Sequence, residues 1–164
     1  MVEASDYRNA MSLLTTAVNI ITTAGETGQH GFTASAVCSV TDSPATLLVC
    51  MNQSSRSHQY FIENKVLSVN VLSSQHESLS NAFASSQLSA EQRFGLAQWG
   101  KLKTGCPVLK DALVSFDCEI EQIQRVGTHS IFICRVVAIQ QSSQEESLVY
   151  FNRSYHQVSA EEEV

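Results

Sequence analysis

The chain is short of the features that most often announce a function. It holds 10 lysines and arginines against 16 aspartates and glutamates, a formal net charge of −6 over 164 residues. That balance argues against broad nucleic-acid binding, which needs basic patches. It leaves room for a small anionic ligand, because backbone N–H groups can hold a single phosphate. No apolar run reaches the roughly 18 residues of a membrane span, and the opening MVEASDYRNA has neither a basic stretch nor an apolar core of the kind that marks a secretory leader. Five cysteines (Cys38, Cys50, Cys106, Cys118, Cys134) form no CxxC pair, and five histidines form no HxxxH or HExxH spacing. A zinc centre and a disulfide framework are therefore not expected; buried free thiols in a reducing cytoplasm are. GxGxxG is missing and strands do not alternate with helices, which excludes a dinucleotide-binding parallel sheet.

What is present is a run of short, apolar, β-branched segments with brief connections. Val18–Thr23, Thr46–Met51, Val66–Leu72, Ser130–Ile139 and Leu148–Phe151 read as strands. Val114, Phe116, Cys118 and Ile120 alternate, and the pattern slips at Ile123, which predicts a bulge. Short helices are predicted over Asp6–Leu14, over Ser57–Asn64, after a capping box at Ser74–Glu77, and after a second box at Ser89–Gln92. The expectation is a single unit over 1–164, mainly β, an antiparallel closed or split β-barrel with a few short flanking helices. Residues 1–5 and 159–164 are expected to be mobile ends.

The richest stretch is Gly31–Asn52. Thr33, Ser35 and Ser39 alternate with Phe32, Ala34, Ala36 and Cys38, predicting one strand face of small hydroxyls and one that packs. Asp42-Ser43-Pro44 breaks the chain before the next strand. Beyond Asn52, Ser54, Ser55, Arg56 and Ser57 lead into a helix. One hydroxyl suffices for a cap; three with an arginine suit a phosphate. A hydrogen-bonding edge followed by a phosphate loop fits a flat ligand with a phosphate at one end, a flavin nucleotide. Solvated strand hydroxyls and a plain helix cap are the bland alternatives.

Taken in order, AVNIITT (17–23), GFTASAVCSVTDSPATLLVCMN (31–52), VNVLS (69–73), CPVLKDALVSFDCEI (106–120), GTH (127–129) and FNRSYH (151–156) resemble the flavin reductase family, the small reductase components of two-component flavin-dependent monooxygenases. Within it the strings are similar to the 4-hydroxyphenylacetate 3-monooxygenase reductase components and the pyrimidine-utilisation flavin reductases; RSYH and the TGCP turn lean toward the latter. The resemblance implies a split-barrel FMN-binding fold, a homodimer, and reduction of FMN or FAD by NADH, with the reduced flavin released to a partner monooxygenase. It places the flavin ring against Thr33, Ala34, Ser35, Ala36, Ser39 and Val40, and the phosphate on Asn52, Ser54, Ser55, Arg56 and Ser57. It places His129 near the nicotinamide as a positioning group and Tyr155 at the ligand mouth. Many family members carry Gly-Asp-His where this chain has Gly127-Thr128-His129, so no role of that aspartate transfers. Phe83 and Trp99 are expected in the core or a dimer contact, and Asn70 and Asn81 as flavin-side hydrogen bonders. NADH is favoured over NADPH because no Arg/Lys cluster for a 2′-phosphate is visible. The rival readings are a non-catalytic flavin- or haem-binding split-barrel carrier or sensor, and a split-barrel oxidase of a pyridoxine-type substrate.

Overall fold

A computed structural model describes residues 1–160; the predicted acidic end at 161–164 lies outside the described residues. Helix α1 (Ala4–Met11) precedes strands β1 (Thr16–Ala17), β2 (Asn19–Gly25), β3 (Gly28–Ala34), β4 (Val37–Asp42) and β5 (Ala45–Asn52). Helix α2 (His58–Asn64), β6 (Val66–Val71), α3 (Glu77–Ala84) and α4 (Ala90–Phe94) follow. Then come β7 (Trp99–Lys101), β8 (Pro107–Leu109), β9 (Val114–Val126), β10 (His129–Gln141), β11 (Glu146–Phe151) and β12 (Ser154–Ser159). Among the described residues no helix is long and apolar enough to cross a membrane.

Seven strands form one antiparallel sheet in the order β3-β2-β6-β9-β10-β5-β4. Its edge strands, β3 and β4, are neighbours in sequence, joined only by Ser35 and Ala36. Three Cα steps from Ala34 to Val37 reach at most about 11 Å, whereas seven strands laid flat would put the two edges about 29 Å apart. The sheet must therefore curl until its edges meet at this link, although no ladder joins them. The expected single strand through Phe32–Ser39 is thus corrected: the chain crosses from one sheet edge to the other at Ser35–Ala36. Asn19 Nδ2 holds Ala34 O on one side (3.1 Å), and Cys50 N–H donates to Ala36 O on the other (3.0 Å).

Inside the curl lie Ile21, Val49, Met51, Phe61, Leu67, Val69 and Phe132, all at most 1% exposed. Each such side chain contributes about 1.5–3 kcal/mol by leaving water. A second cluster of Val18, Ile20, Leu72, Phe83, Phe94, Leu109 and Leu148 packs the sheet's other face against α3, α4 and β8. β2 is buried on both faces, which is why its sequence runs apolar without alternation. Cys106, Cys118 and Cys134 are buried free thiols, and burial pushes Cys134 up to about 12. Cys38, expected inside, is exposed.

Several boundaries differ from expectation. The bulge falls at Glu121, between the pairs Ile133–Gln122 and Cys134–Ile120. The first capping box is built by Ser73 and His76 around a single 3₁₀ turn ahead of α3, while the Ser89–Gln92 box is as expected. Phe151 does not end the last strand. Asn152 and Arg153, both at positive φ, turn the chain into β12, whose Ser159 pairs with Glu146. The N-terminal helix starts at Ala4, ahead of the expected Asp6.

Candidate functional site

A groove of about 630 Å³ opens between three walls. Its floor is β3, through His30, Phe32 and Thr33. One wall is the Ser54–Ser57 loop with Tyr60 of α2. The other runs from Phe83 and Ala84 at the end of α3 through Ser86, Leu88 and Ser89 to Ala90 and Arg93 of α4. β3 can approach α3 because Gly31 has no side chain: a Cβ there would sit 2.9 Å from the Phe83 ring and 3.1 Å from Ile21 O.

The loop after β5 is shaped by Asn52, whose Oδ1 accepts from the Ser54 backbone N–H (2.9 Å) and hydroxyl (2.8 Å). Ser57 stands at the N-cap of α2 but makes no capping bond. Ser55 and Ser57 hydroxyls lie 3.4 Å from each other. The cap reading of this cluster therefore fails, and the Ser55 and Ser57 hydroxyls have no recorded partner but each other.

Two guanidiniums reach the groove, and no carboxylate of the described residues lines it. Arg56 is exposed and donates across the cleft to Ser86 O (3.0 Å). Arg93 lies over the Phe83 ring at 5.9 Å and donates to Gly31 O (2.7 Å) and Ser85 O. Its Nε is buried without a hydrogen-bond partner among the described residues. Burial, then the Arg56 charge, lowers the Arg93 pKa from its ordinary value. Two cations and no carboxylate among the lining residues give this groove a local positive charge in an acidic protein. Beside them His30 and Tyr60 stack in parallel, with centroids 3.6 Å apart and planes 6° apart. Burial lowers the His30 pKa.

Of the residues singled out from sequence, the groove brings together Thr33, Ser54, Ser55, Arg56 and Ser57. Thr33 Oγ1 donates to Ser80 O (2.6 Å). Ala34, Ser35 and Ala36 continue past its end at the edge link, and Ser39 and Val40 are exposed on edge strand β4, away from the lining. His129 is exposed at the start of β10, opposite Asn52 in the ladder, and its carbonyl accepts from Gln53 Nε2 (2.8 Å). The Gly127 turn, with φ +55°, thereby abuts the hydroxyl loop. Thr128 Oγ1 lies 2.8 Å from His129 Nδ1.

Tyr155 does not line the groove. Its hydroxyl lies 2.7 Å from Ser80 Oγ and donates to Asn81 Oδ1 (3.1 Å), so it touches the same residue that holds Thr33. Arg153 anchors its hairpin to α1 through Asn9 (2.7 Å). Asn70, expected beside the flavin, is fully buried and bonded at both ends of its amide: Oδ1 accepts from Leu109 N–H and Ser115 Oγ, and Nδ2 donates to Ile20 O. His30, Tyr60 and Arg93 were missed from sequence. The signals were there: His30 shares the strand face of Phe32, Tyr60 lies three residues past Ser57, and Arg93 sits on the helix that Ser89 caps.

Residues 11–159 match the flavin reductase like domain. The chain belongs to the flavin reductase family. It is 57% identical to a Pantoea ananatis protein named FMN reductase (NADH) RutF, over 94% of this chain and 81% of that one. A solved flavin reductase structure from Haemophilus somnus superposes with a TM-score of 0.93 at 58% identity, covering 96% of this chain and all of the other. The styrene monooxygenase flavin reductase of Pseudomonas putida S12 superposes at 0.85 with 25% identity, over 95% of this chain and 99% of that one. The expected mainly-β, split-barrel oxidoreductase of the flavin reductase class is borne out.

Proposed function

We propose that this family member is an NADH-dependent FMN reductase, NADH + H⁺ + FMN giving NAD⁺ and FMNH₂, which releases reduced flavin to a partner monooxygenase. The observation that carries the flavin half is the groove: Ser55 and Ser57 hydroxyls unused by any cap, with Arg56 and Arg93 unopposed by carboxylate. That donor set suits a phosphomonoester. A bound flavin supplies the hydride acceptor, so the chain need furnish no acid, base or nucleophile. Ser54, Ser55, Arg56 and Ser57 hold the phosphate end; Asn52 shapes their loop. Thr33 and the backbone of Ala34, Ser35 and Ala36 border the ring, with Ser39 and Val40 at its outer margin and Tyr155 supporting Thr33 through Ser80. His129 positions the nicotinamide, a geometric contribution. FAD is the alternative flavin.

The outward face of β4, β5 and β10 supports a homodimer. Cys38, Leu48, Cys50, Ile131 and Ile133 share it in register, and Val40 nearby is 50% exposed. A contiguous apolar face of this kind is an association surface. A second copy of the chain is the proposed occupant, and a reducing compartment, the cytoplasm, the proposed location.

The test is NADH consumption by the purified chain with FMN in air, with NADPH and FAD as comparators. Turnover above the flavin-only blank is expected; flavin binding without it would return the chain to a carrier or sensor. Light scattering expects a dimer that Leu48→Glu splits.

A further inference from the structure

The turn that carries His129 is the tip of the longest hairpin in the molecule. β9 and β10 are 13 residues each, and β6 pairs with β9 only as far as Glu119. Beyond that point β10 is the only strand beside β9 among the described residues, and residues 121–129 are all exposed. A two-stranded tip in water has little to hold its shape. β5 comes up on the other side of β10 and ends there, with Asn52 opposite His129.

Gln53, the next residue, takes hold of the turn. Its backbone N–H donates to Thr128 O (2.9 Å) and its Nε2 to His129 O (2.8 Å), with Gly127 O 3.5 Å from the same nitrogen. One half-buried residue thereby reaches all three carbonyls of Gly127-Thr128-His129. Thr128, held at its carbonyl, places its hydroxyl 2.8 Å from His129 Nδ1. The residues on either side of Gln53 serve the groove instead: Asn52 Oδ1 holds Ser54, and Ser54–Ser57 form one wall.

We infer that Gln53 is a positioning residue for hydride transfer, which locks His129 and its turn to the hydroxyl loop so that nicotinamide and flavin are placed by one junction. This rests on the reading of His129 as the nicotinamide group and of Ser54–Ser57 as the phosphate loop. Gln53 acts through these neighbours, and its contribution is geometric: a misplacement of about 1 Å between reacting groups is enough to slow a reaction severely. The ladder to β5 fixes the backbone of His129, and Gln53 fixes the turn beyond it. The carbonyls it holds would otherwise be solvated, so each bond adds only a little to stability. Its loss is therefore expected to show in the rate rather than in the melting temperature.

The experiment is anaerobic stopped-flow reduction of bound FMN by saturating NADH, with FMN affinity measured separately by fluorescence titration. Gln53→Ala keeps the backbone bond and removes the side-chain donor. It is expected to slow hydride transfer about fivefold, at unchanged FMN affinity and thermal midpoint. Gln53→Glu, of the same shape but without a donor, is expected to be at least as slow. Gln53→Lys again offers N–H groups to the carbonyls and is expected to recover most of the rate. Gln53→Ala combined with His129→Ala is expected to be no slower than His129→Ala alone, because the first acts through the second. Full rate in Gln53→Ala and Gln53→Glu, a Gln53→Lys no faster than Gln53→Ala, or losses that multiply in the double variant overturns the proposal. So does an FMN affinity that falls in step with the rate, which would make Gln53 part of the flavin loop. The proposed function fails differently. An unaltered chain that does not oxidise NADH with FMN removes the reaction, and His129→Ala at full rate removes His129 and Gln53 together; full rate in the Gln53 variants beside a slow His129→Ala removes Gln53 alone.

Discussion

Asp117 and the Ser54–Ser57 loop each gather hydroxyls around a charge, and to opposite ends. The Asp117 carboxylate is fully buried and takes four hydrogen bonds: from Ser68 Oγ (2.7 Å), Thr104 Oγ1 (2.6 Å), and the backbone N–H groups of Lys103 (2.8 Å) and Thr104 (2.7 Å). It fastens the segment between β7 and β8 to the sheet and has no capacity left. In the groove, Ser55 and Ser57 have only each other, Arg56 spends one N–H on a carbonyl, and Arg93 keeps a buried Nε unpartnered. A buried polar cluster whose members are all partnered is spent on structure, whereas donors left open to solvent keep their capacity.

That contrast can be broken at several points. Asp117→Ala strands four donors under the 102–106 segment and is expected to cost about 3 kcal/mol or more of stability, read as a fall in thermal midpoint with little change in KM for FMN per folded molecule. An equal rise in KM would merge the two clusters into one site. Gly31→Ala forces a methyl against Phe83 and Ile21 O, with an expected loss of about 1–3 kcal/mol, and should affect both stability and flavin affinity because the groove floor moves. Replacing Ser55 and Ser57 together by alanine should leave the melting temperature nearly unchanged and weaken FMN about tenfold, the loss of hydrogen bonds to a charged group, with riboflavin affected far less. Equal losses for the two flavins would remove the phosphate from that loop. His129→Ala should slow NADH turnover severalfold at unchanged flavin affinity, measured by stopped flow; unaltered kinetics would take His129 out of the site.

The smallest effect is a pH slope. His58 is buried with Nε2 2.9 Å from Ser130 Oγ, and burial, then the Arg125 charge, lowers its pKa below the ordinary 6.5. The folded state resists protonation that the unfolded chain accepts, so the stability His58 contributes is present above pH 6.5 and is lost as pH falls below it. His58→Asn should flatten a plot of thermal midpoint against pH between 7.5 and 5.

The sequence exposed what is local. Turn residues, the Ser89–Gln92 box, the strand runs and the hydroxyl-rich loop are all written within a few residues, and the collinear strings carried the family. What it did not expose depends on closure. Phe32–Ser39 alternates like one strand, and nothing inside it says that Ser35–Ala36 spans two sheet edges. Asn70 is indistinguishable in sequence from a ligand-facing amide until β8 and β9 fill its carbonyl oxygen and β2 accepts from its nitrogen. Arg93 lies 62 residues from the carbonyl of Gly31 that it holds, a pairing no local pattern encodes.

The two-residue link between β3 and β4 has a mechanical meaning. The seam of the barrel is stitched at one end by peptide bonds and lacks a ladder along the rest. Any widening of the seam must hinge about Ser35–Ala36, and the displacement grows with distance from that point. Atoms beside Thr33 lie next to the stitch, and those beside His30 lie three residues farther from it. The seam is thus closest where the chain itself crosses it, at Ser35–Ala36.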